Sequence, residues 1–177
     1  MVYRYRVRRV GESEIVSYAV LTSSDTGAAG KRVDTSGDAV VEIMDDAGHS
    51  LVDRVMLPDD VDQLGQQILN WCDSEDVDIV LTTGGTGLSS RDLMPEVTRE
   101  LIDLEIPGMA EAMRAESLKV TPMAMISRNV VGARGPTLII NLPGSTGGVR
   151  DNLRVVLPVI EHAVEVLQDR HSGEHPV

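Results

Sequence analysis

Val77-Asp-Ile-Val-Leu-Thr-Thr-Gly-Gly-Thr-Gly-Leu-Ser-Ser-Arg-Asp92 is the stretch on which the fold of this chain turns. The apolar run Val77–Leu81 predicts a buried strand. The glycines Gly84, Gly85 and Gly87 then break it, and Pro95 sits where the first turn of a helix tolerates proline. A strand that passes through glycines into a helix start gathers several backbone N–H groups at one point, which suits phosphate. Asp92 lies at the edge of the same turn. A carboxylate beside a phosphate cradle repels the ligand unless a divalent cation sits between them. The segment therefore suggests a phosphorylated ligand with Mg²⁺, against the plainer reading of a turn that only redirects the chain. It is not a Walker loop, because no Gly-Lys-Ser/Thr follows, and the G-x-G-x-x-G dinucleotide spacing is absent.

Outward from this stretch, strands and helices alternate. Ile15–Leu21 reads as a first buried strand ending at Thr22-Ser23-Ser24-Asp25, and Thr26–Thr35 as a loop. A helix runs from Ser36 through Met44 to a stop at Gly48. Leu51–Leu57 alternates as a second strand closed by Pro58-Asp59-Asp60, and Val61–Cys72 is helical. After the glycine stretch, a helix is expected from Pro95 to about Leu104. A Met-rich helix follows from Met109 to about Leu118, its methionines filling gaps in the core. Ile126–Val131 and Thr137–Leu142 read as strands joined by Gly132-Ala133-Arg134-Gly135. Pro143-Gly144-Ser145 ends the second of these. A closing helix, Val149–Gln168, contains Pro158 and is expected to kink there. The pattern predicts an α/β fold: a single three-layer domain with a largely parallel sheet, helices on both faces and a short antiparallel excursion near Gly132. The domain is expected over residues 15–170. An N-terminal arm (1–14), whose Tyr3, Tyr5 and Val7 alternate with arginines, precedes it, and a tail (171–177) follows.

Composition narrows the function. The chain has 177 residues, formal net charge −12, no Phe, one Trp and three Tyr. Its core must come from Val, Ile, Leu, Met and Ala, and recognition by stacking bases on aromatic rings is disfavoured. The negative field disfavours nucleic-acid binding. Lys31 and Lys119 are the only lysines, and Arg4, Arg6, Arg8 and Arg9 crowd the start of the chain. With Cys72 the only cysteine, no intrachain disulfide is possible. The charged start is unlike a signal peptide, and no apolar run reaches membrane-spanning length, so a cytoplasmic protein with no membrane partner is expected.

In parallel α/β sheets ligands gather at the carboxyl ends of the strands. Four turns fall there: Ser24-Asp25, Pro58-Asp59, Thr83–Asp92 and Pro143–Ser145. None of His49, His162, His171 and His175 falls at a strand end, and no Ser-His-Asp set or zinc-ligand spacing is present. Acids at the strand ends are the remaining candidates. Asp59 and Asp92 can hold Mg²⁺ near phosphates, although Asp59 also reads as a helix N-terminal residue and Asp92 as a turn residue. Phosphoryl or nucleotidyl transfer to a phosphate oxygen needs alignment and charge neutralisation rather than a strong base.

With these residues in hand, the chain resembles the MogA and MoaB proteins of molybdenum cofactor biosynthesis, over about Ile15 to about Leu157. Leu81–Asp92 followed by Pro95-Glu96-Val97-Thr98 is the most specific part. Supporting parts are Ser24-Asp25, Asp34-Thr35-Ser36-Gly37, Pro58-Asp59, Pro107-Gly108, Ser127-Arg128 and Asn141-Leu142-Pro143-Gly144-Ser145. Ser145-Thr146 looks more like the MoaB branch. The resemblance implies a molybdopterin adenylyltransferase, with ATP and molybdopterin as substrates and Mg²⁺ as cofactor. It implies a homotrimer or homohexamer, with hand-off to a molybdenum-insertion protein. By position it implies catalytic and metal roles for Asp59 and Asp92. It implies ligand contacts from Ser24, Asp25, Thr83, Gly84, Gly85, Thr86, Gly87, Ser89, Arg91, Pro143, Gly144 and Ser145. Arg128 has two readings, ligand contact and ion-pair partner. Met94 stands where many relatives carry Thr, removing a helix cap. Two alternatives stay open: a molybdopterin-binding or assembly protein without adenylyl transfer, and a nucleotide-sugar or pyrophosphate hydrolase on the same scaffold.

Overall fold

The structure, a computed structural model, describes residues 15–74 and 76–172, with side chains described through residue 169. The extended arm expected at Val2–Val7 lies outside these residues, and His171 and Ser172 continue the last helix. Six strands form one sheet in the order β2-β1-β3-β6-β5-β4. β1 (Ser17–Ser23), β2 (Ser50–Leu57), β3 (Ile79–Thr83) and β6 (Thr137–Leu142) are parallel. β5 (Val131–Arg134) and the two-residue β4 (Leu104–Glu105) are antiparallel to their neighbours, which is the expected excursion.

The helices are α1 (Asp25–Ala28), α2 (Thr35–Asp46), α3 (Val61–Cys72), α4 (Met94–Leu101), α5 (Pro107–Val120) and α6 (Thr146–Ser172). Strand residues alternate between two apolar layers, because successive side chains leave a strand on opposite faces. Tyr18, Val20, Ile79, Leu81, Leu138 and Ile140 share one core with α2, α5 and α6. Ala19, Leu21, Val80 and Ile139 share the other with α3 and α4. Each fully buried aliphatic side chain contributes about 1.5–3 kcal/mol, so the two layers together hold the sheet between the helices. Met109 and Met113 of the Met-rich helix are buried, as their gap-filling reading requires, and Met44 and Met94 are fully buried as well. Burial pushes the Cys72 thiol up to about 11, which keeps it protonated and unreactive at neutral pH.

Three elements depart from the sequence reading. Thr26–Thr35 is not loop throughout, since Asp25–Ala28 makes one helical turn capped by Ser24, whose Oγ accepts from Gly27 N–H at 3.1 Å. Ile126 does not begin a strand. It closes a 3₁₀ helix, Pro122–Ile126, and β5 starts at Val131. Pro122 and the Thr121 hydroxyl, which accepts from Met123 N–H, favour this turn, and Met123, Met125 and Ile126 all face solvent. The helix expected to reach Leu104 ends at Leu101, because Leu104 and Glu105 pair with β5. That pairing is close: a Cβ on Gly132 would lie 2.7 Å from Leu104 O. Only glycine lets the two backbones approach in this way.

Candidate functional site

The strand order brings the four predicted turns together. β2, β1, β3 and β6 are consecutive neighbours and parallel, so their carboxyl ends form one rim. Hydrogen bonds to backbone carbonyls lock the turns there. Ser24 N–H donates to Leu57 O at 2.9 Å, and the Thr83 hydroxyl donates to Pro143 O at 2.7 Å. Gly84 (φ +92°) and Gly85 (φ +66°) adopt the left-handed region. A Cβ on Gly84 would lie 2.4 Å from Ser23 O, and one on Gly144 would lie 3.2 Å from the Gly84 Cα. Three turns thus touch through backbone, which side chains at these positions would prevent.

Behind the rim, Asp34 caps α2. Its carboxylate accepts from Gly37 N–H (2.9 Å), the Thr22 hydroxyl (2.8 Å) and Arg54 Nη2 (2.8 Å). Burial pushes this carboxyl up. The Arg54 guanidinium, Gly37 N–H and Thr22 hydroxyl outweigh that effect and hold it below the ordinary carboxylate value. This network fixes the end of β1 from below and explains the Asp34-Thr35-Ser36-Gly37 motif as a brace.

A cleft of about 340 Å³ opens on the rim. Of the predicted site residues, Gly85, Thr86, Gly87, Asp92, Pro143, Gly144 and Ser145 line it. Asp92 Oδ2 accepts from Ser89 N–H at 2.7 Å, and Oδ1 takes no hydrogen bond among the described residues. Ser145 opens the long helix α6, and its hydroxyl accepts from Gly148 N–H at 3.1 Å. The helix start therefore adds positive dipole to the same cleft.

Ser24, Asp25, Asp59, Thr83, Gly84, Ser89 and Arg91 stand on the rim without lining that cleft. Asp59 and Asp92 thus share the rim but not one network. Asp59 Oδ1 accepts from the Ser23 hydroxyl at 2.5 Å. The Asp25 and Asp59 turns exchange contacts: Asp25 N–H to Asp59 Oδ2 at 3.3 Å, and Asp59 N–H to Asp25 Oδ1 at 3.1 Å. Arg91 links this pair to the glycine stretch by a two-pronged contact with Asp25, at 3.1 and 2.9 Å. The Arg91 guanidinium, then the Asp59 N–H, hold the Asp25 carboxyl below its ordinary value. Arg91, expected to face a ligand anion, has its charge answered within the chain, because the β1–β3 pairing places Asp25 beside it.

Arg128 takes the ion-pair reading. It pairs with Glu96 and donates from Nε to Gly87 O and from Nη2 to Asp92 O, each at 2.7 Å. One side chain thereby clamps both ends of the Gly87–Asp92 turn. Met94 N–H donates to Gly85 O at 3.1 Å, so α4 starts against the glycine turn without a side-chain cap, and the Met94 side chain is buried in the core.

The remaining wall of the cleft was not anticipated. Arg114, Ser117 and Thr121 lie along one side of α5 and its end, and Asn152 reaches across from α6, its Nδ2 donating to the Ser117 hydroxyl at 2.7 Å. Spacings of three and four residues put these α5 positions on one helix face, the only signal available in the sequence. Arg114 is held by Asn129, whose O and Oδ1 each accept from Nη1 at 3.0 Å. Asn129 Nδ2 is buried without a hydrogen-bond partner, which costs about 1–3 kcal/mol.

No group of three or more His, Cys, Asp or Glu side chains able to hold a metal occurs among the described residues. The cleft offers one carboxylate among the described residues, Asp92, a supply that suits Mg²⁺ held largely by phosphates and water rather than an all-protein metal cage. No helix among the described residues is long and apolar enough to cross a membrane.

A largely parallel α/β sheet whose carboxyl rim carries a glycine turn, a helix start and an acid has the parts that suit a phosphorylated ligand. Residues 19–162 match the family described as a probable molybdopterin binding domain, and the chain belongs to that family. It is 36% identical to the molybdenum cofactor synthesis protein cinnamon of Drosophila melanogaster over 157 residues, 88% of this chain but 26% of that longer protein. The chain therefore spans about a quarter of that relative's length. It is 35% identical to the molybdopterin adenylyltransferase of Helicobacter pylori J99 over 156 residues, 87% of this chain and 89% of that one. Among solved structures, the molybdopterin biosynthesis enzyme MoaB of Thermus thermophilus superposes with TM-score 0.82 at 44% identity, covering 86% of this chain and 96% of the other.

Proposed function

We propose that the protein transfers AMP from Mg-ATP to the terminal phosphate of molybdopterin. A phosphate oxygen of the pterin attacks the α-phosphorus of ATP and forms a new P–O bond. The bond from that phosphorus to the oxygen bridging the β-phosphate breaks, and pyrophosphate leaves. The nucleophile is already an anion at neutral pH, so the absence of histidine from the cleft among the described residues is no obstacle. Backbone N–H groups of Gly85–Gly87 and the start of α6 orient phosphate oxygens, and the turns at Ser24-Asp25 and Ser89–Arg91 shape the rim around them. Asp92, whose Oδ1 takes no hydrogen bond among the described residues, would hold Mg²⁺ at the cleft, and Asp59, on the same rim but outside the cleft, would add negative charge to that side. When bound, the cation neutralises charge on the transferring and leaving phosphates.

The observation that carries this reading is the cleft at the carboxyl rim, lined together by the glycine turn, Asp92 and Pro143–Ser145. The adenylyltransferase name of a relative matched over 89% of its length supports the specific reaction. In the same reading the chain acts in the cytoplasm as a homotrimer or homohexamer and passes adenylylated pterin to a molybdenum-insertion protein. Sedimentation tests the assembly. Pyrophosphate release with ATP, Mg²⁺ and molybdopterin tests the reaction. Release that requires molybdopterin supports it. Pterin binding without release turns the assignment to a non-catalytic binding protein, and release without pterin turns it to a hydrolase.

A further inference from the structure

Arg54, Arg91, Arg128 and Arg150 each hold a carboxylate, as expected in a chain of net charge −12. Arg114 differs. It is half-buried, it lines the cleft, and no carboxylate pairs with it among the described residues. Its Nη1 is tethered to two neutral oxygens of Asn129, and its Nε and Nη2 make no hydrogen bond among the described residues.

The tether is specific. Asn129 is 2% exposed, and its Oδ1 accepts from both Arg114 Nη1 (3.0 Å) and the Ser127 hydroxyl (2.9 Å). Reversing the amide would set Nδ2 against Arg114 Nη1, two donors face to face, so the contact with Arg114 favours the orientation in which Nδ2 is unpartnered. A buried amide kept in this orientation to aim an un-neutralised cation into a cleft is a preorganised anion receptor. Among the described residues, Asp92 is the only other charged residue lining the cleft, so Arg114 is the single cationic side chain there.

We propose that Arg114 is a phosphate anchor on the helical wall of the cleft, a binding and orienting residue separate from the glycine turn. This rests on the proposed function in one respect: the phosphate belongs to one of the two substrates, the pterin or ATP. The shared chemistry is a phosphate oxygen on a planar guanidinium.

The test measures dissociation constants of the wild type, Arg114→Gln, Arg114→Lys and Asn129→Asp for molybdopterin, ATP and inorganic pyrophosphate separately, at low and moderate salt. Asn129→Asp keeps the arginine but gives it an internal carboxylate. Arg114→Gln is expected to weaken the substrate whose phosphate it holds by about tenfold or more. Which substrate weakens assigns the source. Asn129→Asp is expected to weaken the same ligand, Arg114→Lys to recover part of the loss, and salt to weaken wild-type binding more than that of Arg114→Gln. Unchanged affinity for all three ligands in Arg114→Gln and Asn129→Asp overturns the proposal. So does a loss that Lys does not relieve and that tracks a fall in the thermal midpoint. Wild-type binding of pyrophosphate through Arg114 with neither substrate bound leaves the anchor standing and removes the adenylyltransferase reading; no binding of any of the three removes both.

Discussion

At the amino end of the sheet, Asp78 takes the Ser17 N–H on Oδ2 at 2.8 Å and the Gln168 amide on Oδ1 at 2.6 Å, and His49 lies buried against Val16. At the carboxyl end, Asp92 holds one backbone N–H on one oxygen and turns toward an open cleft. Both ends carry an acid beside a strand terminus. At one end the polar groups answer each other and close the layer structure. At the other, glycine turns bring backbones together while leaving N–H groups, an acid and an arginine facing a cavity. Asp78 and Asp92 are alike in type and in standing at an end of the sheet; what separates them is how many partners each has inside the chain.

If that contrast is sound, substitutions at the two ends separate activity from stability. The largest expected effect is Asp92→Asn, with turnover lowered by roughly 10²–10³ because charge placed for the transition state is lost, and with an unchanged thermal midpoint. Turnover by molybdopterin-dependent pyrophosphate release, beside a melting curve, checks both. Equal loss of stability and activity would erase the distinction. Gly84→Ala comes next. Its positive φ and the 2.4 Å approach to Ser23 O predict a loss of stability of about 2–4 kcal/mol together with weakened ligand binding, read by denaturant unfolding and calorimetry.

Asp78→Ala should do the reverse of Asp92→Asn, lowering stability by about 1–3 kcal/mol with turnover per folded molecule unchanged. The smallest effect belongs to His49. Burial, opposed in part by Glu161, holds its pKa below the ordinary 6.5. The folded state therefore favours the neutral ring. Its contribution is complete above pH 6.5 and is lost as pH falls through the depressed folded value. Stability of the wild type should decline more steeply with acid than that of His49→Gln when both are unfolded across this range.

Much of the rim was legible because its signals are local. An apolar run, glycines and Pro95 specify strand, turn and helix start within one stretch, and regular alternation of strands and helices implies a parallel sheet whose carboxyl ends gather turns. What was missed depends on distant neighbours. β4 is two residues long and carries no period. The apolar run opening at Ile126 suggests a strand, although Ile126 is exposed at the end of a 3₁₀ turn and β5 begins only where it can pair with β6. Arg91 reads as a ligand contact in the sequence, and only the fold sets Asp25 against it. Arg114 read as one residue of a Met-rich helix, and only Asn129, fifteen positions away, sets it into the cleft.

The most direct test follows phosphorus by nuclear magnetic resonance while the wild-type protein turns over molybdopterin with Mg-ATP. The expected result is a pair of coupled resonances from a new phosphoanhydride joining AMP to the pterin phosphate, appearing in step with pyrophosphate and suppressed in Asp92→Asn. Free AMP with unchanged pterin phosphate, or ATP left intact while molybdopterin is bound, would contradict the account.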